Sequence, residues 1–141
     1  MNLNQVTLAV HDINLAVEFY KKLGLNQIVE DDHYARFSFP DGESTFSIYL
    51  DTDKTGLDSR GVVYFEHQEL DELVEDLKSK GVKFEQEPTM QPYLWKEAVL
   101  SDPSGNKIKL YWAGENRLNP PWKLEKAPNK AFKRDSQRVA N

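Results

Sequence analysis

The chain has no cysteine, which excludes disulfides and thiolate metal sites and leaves the redox compartment unreadable. No stretch approaches the roughly 20 apolar residues of a membrane span. The opening Met1-Asn2-Leu3-Asn4-Gln5 lacks the basic and apolar regions of a signal peptide, so a cytoplasmic protein is expected. Histidine is scarce as well. The three present, His11, His33 and His67, are too scattered for a local metal motif and read as solvated imidazoles. Gly-rich phosphate loops and acyl-transfer triads are also missing.

What is present is an ordinary globular composition of 141 residues, 39% hydrophobic and 29% charged, enough for one domain or two small modules sharing a core. The net charge of −5 is unevenly spread. From Arg117 to Asn141 seven basic residues face only Glu125 and Asp135, so the preceding chain carries −10. An acidic body repels phosphate and argues against a nucleic-acid partner. The tail, 114–141, is basic; Lys126 to Val139 could form a short helix, and Trp122 and Leu124 could anchor the segment to the body or a partner subunit.

Periodicity reads as strand Gln5–Val10, a helix capped by Asp12 or Asn14 and ending at Leu23-Gly24, then strands Leu25–Glu30, Tyr34–Phe39 and Thr45–Leu50. Asp51 to Arg60 reads as a linker, after which the order repeats. Strand Val62–His67 precedes a helix through Leu70, Leu73, Val74 and Leu77 to Gly81. Strands Val82–Gln86, Tyr93–Leu100 and Lys107–Trp112 follow. Val6 matches Val63, Tyr20 matches Leu77 and Gly24 matches Gly81 at a constant offset of 57. Phe39-Pro40-Asp41-Gly42 matches Asp102-Pro103-Ser104-Gly105. Such agreement predicts a duplicated βαβββ module: an α+β fold with modules at 1–53 and 61–113 and a linker at 54–60.

Leu8-Ala9-Val10-His11-Asp12, Ala16-Val17-Glu18-Phe19-Tyr20 and Leu23-Gly24-Leu25 resemble the opening of a vicinal oxygen chelate module. Leu77-Lys78-Ser79-Lys80-Gly81-Val82, Pro88 and Asp102-Pro103-Ser104-Gly105-Asn106 resemble the second. The superfamily includes glyoxalase I, extradiol dioxygenases, and fosfomycin and bleomycin resistance proteins. The resemblance, over about residues 3 to 113, implies a mixed sheet curling round a cavity with helices outside, and a homodimer. In the family's metalloenzymes His and Glu on the first and last strand of each module hold a divalent ion. Those positions here are Gln5, Ser47, Val62 and Lys109. A hydrocarbon, an ammonium and two neutral polar side chains make a poor site for a dication, so no metal and no cofactor is expected.

Alternation then predicts a cavity lined by Gln5, Thr7, Ser47, Tyr49, Tyr64, Glu66, Lys109 and Tyr111, with Thr45 and Lys107 on the same faces, Trp95 nearby and an ion pair between Lys109 and Glu66. Aromatic walls suit a flat or cationic ligand, and Lys109 suits an anion such as a carboxylate. Glu66 is a candidate base if desolvated, and Lys109 an acid or a Schiff-base amine if its pKa is lowered. The expected function is metal-independent binding or sequestration of a small organic molecule, as in bleomycin resistance proteins. A metal-dependent lyase, isomerase or dioxygenase, and an interaction module with a filled cavity, stay open as alternatives.

Overall fold

A computed structural model describes residues 2–53 and 61–124 of the chain. The 54–60 linker and the helix expected over Lys126–Val139 lie outside the described residues. The first module comprises β1 (Gln5–Val10), α1 (Ile13–Lys22), β2 (Asn26–Asp31), β3 (Tyr34–Ser38) and β4 (Thr45–Leu50). The second comprises β5 (Val63–Glu66), α2 (Leu70–Ser79), β6 (Gln86–Met90), β7 (Lys96–Ser101) and β8 (Lys107–Trp112), followed by a 3-10 turn at Gly114–Arg117. The architecture is α+β, with two four-stranded mixed sheets ordered β1-β4-β3-β2 and β5-β8-β7-β6. Only the β1·β4 and β5·β8 pairs are parallel, because a helical crossover separates the outer strand from the meander.

Local chemistry explains the helix ends. Asp12 Oδ1 accepts from Leu15 N at 3.0 Å, satisfying an orphan donor of α1, and Gly24 leaves the helix at φ 105°, a conformation that costs glycine little. At α2 no side chain caps the first turn; the imidazole of His67 instead takes the Glu69 N–H just before the helix, Nδ1 accepting at 3.0 Å. Asp71 and Glu72 lie in the first turn, where the helix dipole favours negative charge.

Alternation sends one face of each sheet into a shared core. Val10, Phe46 and Ile48 pack with Tyr20, and Leu100, Ile108 and Leu110 with Leu77, in one buried cluster. Phe65 of β5 sits 5.6 Å from the rings of both Phe39 and Phe46, closing the seam between the modules. The second fastening is polar. Tyr20 Oη donates to Asp102 Oδ2 at 2.7 Å, and Asn106 Nδ2 bridges Asp102 Oδ2 (2.9 Å) to Ala9 O (2.8 Å). Ser104 Oγ accepts the His11 N–H at 2.7 Å. The Asp-Pro-Ser-Gly-Asn turn of the second module therefore clasps the β1–α1 junction of the first.

Several boundaries differ from expectation. The strand expected over Val82–Gln86 begins only at Gln86, because Val82 is buried immediately after the helix-ending Gly81. The strand expected from Tyr93 starts at Lys96, since Leu94 takes φ 68° in a turn closed by Leu94 N to Gln91 O. Trp122 and Leu124 are 57% and 90% exposed, so neither anchors the tail to the described body.

Candidate functional site

The sheet faces turned away from the core carry the residues of interest. The two sheets do not close into one barrel, so residues expected around a single cavity fall into two groups, one per sheet.

On the first sheet, register places Thr7 beside Ser47 and Ser47 beside Arg36, a polar row across β1, β4 and β3. Thr7 Oγ1 and the fully buried Ser47 Oγ are 2.6 Å apart. Gln5 Nε2 donates to both hydroxyls, at 3.3 and 3.4 Å, and Gln5 Oε1 accepts from Thr45 Oγ1 at 2.8 Å. One row further along, Tyr34 faces Tyr49, which is 44% exposed. Arg36 Nε donates to Tyr34 Oη at 2.9 Å, with its guanidinium 5.4 Å from the Tyr34 ring. The Ser47 hydrogen bond, with help from Arg36, holds the Tyr34 phenol below the ordinary tyrosine range. In an ultraviolet pH titration Tyr34 is therefore expected to ionise ahead of Tyr20, Tyr93 and Tyr111, and Ser47→Ala to move it back up. An unaltered titration curve in that variant would refute the assignment.

Tyr34 and Arg36 were missed by reading only the outer and last strand of each module. The signal was in the sequence: Tyr34-Ala35-Arg36-Phe37-Ser38 alternates, and its polar set shares the face of Ser47.

On the second sheet, Lys109 Nζ donates to Glu97 Oε1 at 3.1 Å, not to Glu66. Glu66 lies opposite Tyr111 at the exposed edge strand, whereas Glu97 stands on β7 behind Lys109 and is only 1% exposed. Glu97 Oε2 also accepts from Tyr93 Oη at 2.8 Å. Around this pair stand three rings. Trp95 stacks on Tyr111 with centroids 4.8 Å apart, and Tyr64 meets both edge-on at 5.7 and 5.4 Å. Lys109 Nζ lies 5.4 Å from the Tyr64 ring. Trp95 precedes β7, yet stacking fixes it as firmly as a strand would.

Two chemical roles expected of this group are corrected. Burial pulls the Lys109 ammonium down, but its hydrogen bonds to Glu97 and Tyr64 outweigh that, leaving it above the ordinary lysine value. A Schiff-base amine needs the opposite shift. Glu66 is exposed on the edge strand and is not the desolvated carboxylate that the role of base assumed. Burial, and then the Glu66 charge, push the Tyr111 phenol up; burial and the Glu97 hydrogen bond do the same for Tyr93.

The family's metal positions hold no matching set of donors. Ser47 is committed to Thr7 and Gln5, Val62 carries no donor atom and lies just outside β5, and Lys109 brings a cation already paired to Glu97. Among the described residues no three His, Asp or Glu side chains gather to hold an ion. The residues at these positions do not fit a divalent metal.

The histidines divide. His33 is exposed in the β2–β3 turn, and His67 is exposed and accepts the Glu69 N–H ahead of α2. His11 departs from the solvated reading: it is half-buried and its Nδ1 is buried with no hydrogen-bond partner among the described residues.

The two groups approach each other at the β1–β5 seam, where Gln5, Thr45 and Tyr64 line one groove of about 180 Å³. A larger cleft of about 360 Å³ lies elsewhere, between the end of α1 and the Phe39-Pro40-Asp41 turn. Phe39 and Leu77 line it, at the positions equivalent to Asp102 and Tyr20. The duplicated contact is thus polar on one side of the molecule and apolar on the other.

Comparison with known proteins agrees with this topology. Residues 2–110 match the family model described as the Glyoxalase/Bleomycin resistance protein/Dioxygenase superfamily. An uncharacterised protein of Bacillus subtilis (strain 168), YraH, is 31% identical over 127 residues, covering 79% of this chain and 98% of that one. A crystal structure of a glyoxalase/bleomycin resistance protein/dioxygenase from Nocardioides superposes with TM-score 0.69 at 21% identity, covering 89% of this chain and 90% of that one. The bleomycin resistance determinant encoded on transposon Tn5 superposes with TM-score 0.67 at 20% identity, covering 81% and 99%.

Proposed function

The chain belongs to the glyoxalase/bleomycin resistance protein/dioxygenase superfamily, and we propose that within it this protein binds a small organic molecule without a metal ion, holding the ligand rather than transforming it. The observation that carries the reading is the Lys109–Glu97 pair beneath Tyr64, Trp95 and Tyr111. By the family resemblance, Lys109 stands where a metalloenzyme would have a Glu ligand. Here that position holds a cation with its charge already balanced, at the foot of an aromatic wall. Aromatic walls with a few placed polar groups are the usual make-up of small-ligand sites. The fold is shared with a bleomycin resistance determinant, which supports sequestration as the mode of action.

The open sheets support a homodimer. Tyr49 and Tyr64 are 44% and 40% exposed on faces that one chain leaves uncovered, and a second copy would turn each half-site into an enclosed one. The acidic body argues against nucleic acid as a partner. Among the described residues no helix is long and apolar enough to cross a membrane. The cytoplasm is the compartment this reading assumes.

Stripping divalent metal with a chelator is expected to leave the melting temperature unchanged, while a screen of small aromatic compounds yields ligands that raise it by mass action. Trp95→Ala is expected to weaken such ligands about tenfold or more, the loss of one stacking wall. Stoichiometric bound metal on which an activity depends would overturn the proposal in favour of a metalloenzyme.

A further inference from the structure

Lys109 is the obvious cation of the site, but the geometry takes it out of contention as a ligand anchor. Its charge is met at 3.1 Å by Glu97, a carboxylate that is itself 1% exposed and so has no solvent to turn to. An incoming anion would meet a neutral pair and the buried negative charge behind it.

Arg36 is differently placed. It is half-buried on the outward face of the first sheet, and among the described residues no carboxylate lies within ion-pair distance of it. Its Nε–H is used, donating to Tyr34 Oη at 2.9 Å, which fixes the plane of the guanidinium. A guanidinium carries five N–H donors, so four remain on its two terminal nitrogens. Asp31, opposite Tyr34 on β2, accepts from the His33 N–H at 2.9 Å in its own turn. Half-burial of an unpaired cation costs stability unless an anion completes it. Such a cost at one position of an otherwise consistent sheet is the mark of a site kept for a ligand.

We infer that Arg36 is the anchor for a carboxylate group, and that the molecule bound is a small aromatic carboxylic acid. The planar fork of arginine matches a carboxylate in shape and charge. Phosphate is disfavoured: one guanidinium leaves a dianion half-compensated in a protein of net charge −5. Thr7, backed by the buried Ser47, continues the polar row beside Arg36, while the rings of Tyr34 and Tyr49 flank it, which supplies polar contact at one end of the ligand and stacking at the other. The inference rests on the reading above only in that a small organic molecule is bound; it assigns that molecule's charge and places its charged end on the first sheet, apart from the Trp95 wall.

The test titrates the full-length, isotopically labelled chain with three probes of nearly equal shape and different charge: phenylacetate, 2-phenylethanol and phenethylamine. Signals followed by NMR are the backbone amides of β3, β4, β7 and β8 and the Arg36 Nε–H. Phenylacetate is expected to bind about tenfold tighter than the alcohol, the amine weakest, with the Arg36 Nε–H signal moving on binding. Arg36→Gln should bring phenylacetate down to the affinity of the alcohol, and Arg36→Lys should restore part of the difference. The charge series on the unaltered chain decides the question even where R36Q fails to fold. Alcohol or amine binding as tightly as phenylacetate overturns the carboxylate anchor and leaves the binding reading standing. Shifts that follow Lys109 and β8 while Arg36 stays still overturn the anchor in the same way. Absence of any perturbation on either sheet overturns both.

Discussion

Asp102→Ala is expected to destabilise the protein by about 3–5 kcal/mol, enough to lower the melting temperature by roughly 10 °C or more. The carboxylate accepts four donors: Tyr20 Oη, the Ser104 and Asn106 backbone N–H groups, and Asn106 Nδ2. Asp102 is 4% exposed, Asn106 2% and Tyr20 fully buried, so water cannot replace what is removed. The cost is that of stranding donors in the interior, which exceeds the net worth of the bonds themselves. Tyr20→Phe deletes one donor and leaves Asp102 three others, so about 1–2 kcal/mol is expected from it. Burial first, and then the Asp102 charge and hydrogen bond, push the Tyr20 phenol far above its ordinary value, so this contact stays intact across the working pH range. Thermal unfolding followed by circular dichroism measures both effects. A loss under 1 kcal/mol in Asp102→Ala would mean that the turn does not hold the modules together.

The same turn shows how much of the fold could be read from residues. Asp-Pro-Ser-Gly-Asn announces a reversal because each of its residues favours one, and Gly105 does take φ 89°. Strands β1, β4 and β8 occupy the spans that alternation assigns them, and Asp12 caps α1. These are local matters, decided within a few residues. The clasp of the turn onto Ala9, His11 and Tyr20 is not local: the partners are 82 to 97 residues apart, and no periodicity in one segment reports on the other. His11 looked like a surface imidazole for the same reason. Its Nδ1 is buried, and Ser104 of the second module meets its backbone N–H from 93 residues away.

Site residues divide along the same line. Counting puts Thr7 and Ser47 on one face of the first sheet and Tyr64, Lys109 and Tyr111 on one face of the second, because the face of a strand residue is fixed by alternation. Which neighbour answers Lys109 depends on the antiparallel register of β7 against β8, a non-local property that one strand's pattern does not report. Glu97 lies opposite Tyr111, on the face of Lys109 and diagonal to it, whereas Glu66 lies opposite Tyr111 on the other side, and alternation within each strand does not choose between the two carboxylates. Closure around a single cavity was an implication of the resemblance. Two open sheets joined at Phe65 replace it within one chain.

Lys109→Met is expected to cost about 3–5 kcal/mol, the second large effect, by leaving the Glu97 carboxylate buried with only the Tyr93 hydroxyl to answer it. The expected compensation identifies the mechanism. Combining Lys109→Met with Glu97→Gln removes both charges and should recover most of the loss, since a buried ion pair contributes little over a neutral pair of similar volume. A second signature is in pH. Because Lys109 sits above its ordinary value of 10.5 when folded, the pair's contribution is complete below that value and is lost as pH rises through the folded-state value. Wild-type protein should therefore lose stability in the alkaline window above about pH 10.5 more steeply than the double variant does. Denaturant unfolding at neutral and alkaline pH gives both numbers. If the single and double variants prove equally unstable, Lys109 acts through packing against Tyr64 and not through Glu97. The charge balance that bars both a metal ion and an anionic ligand from this sheet would then have to be abandoned.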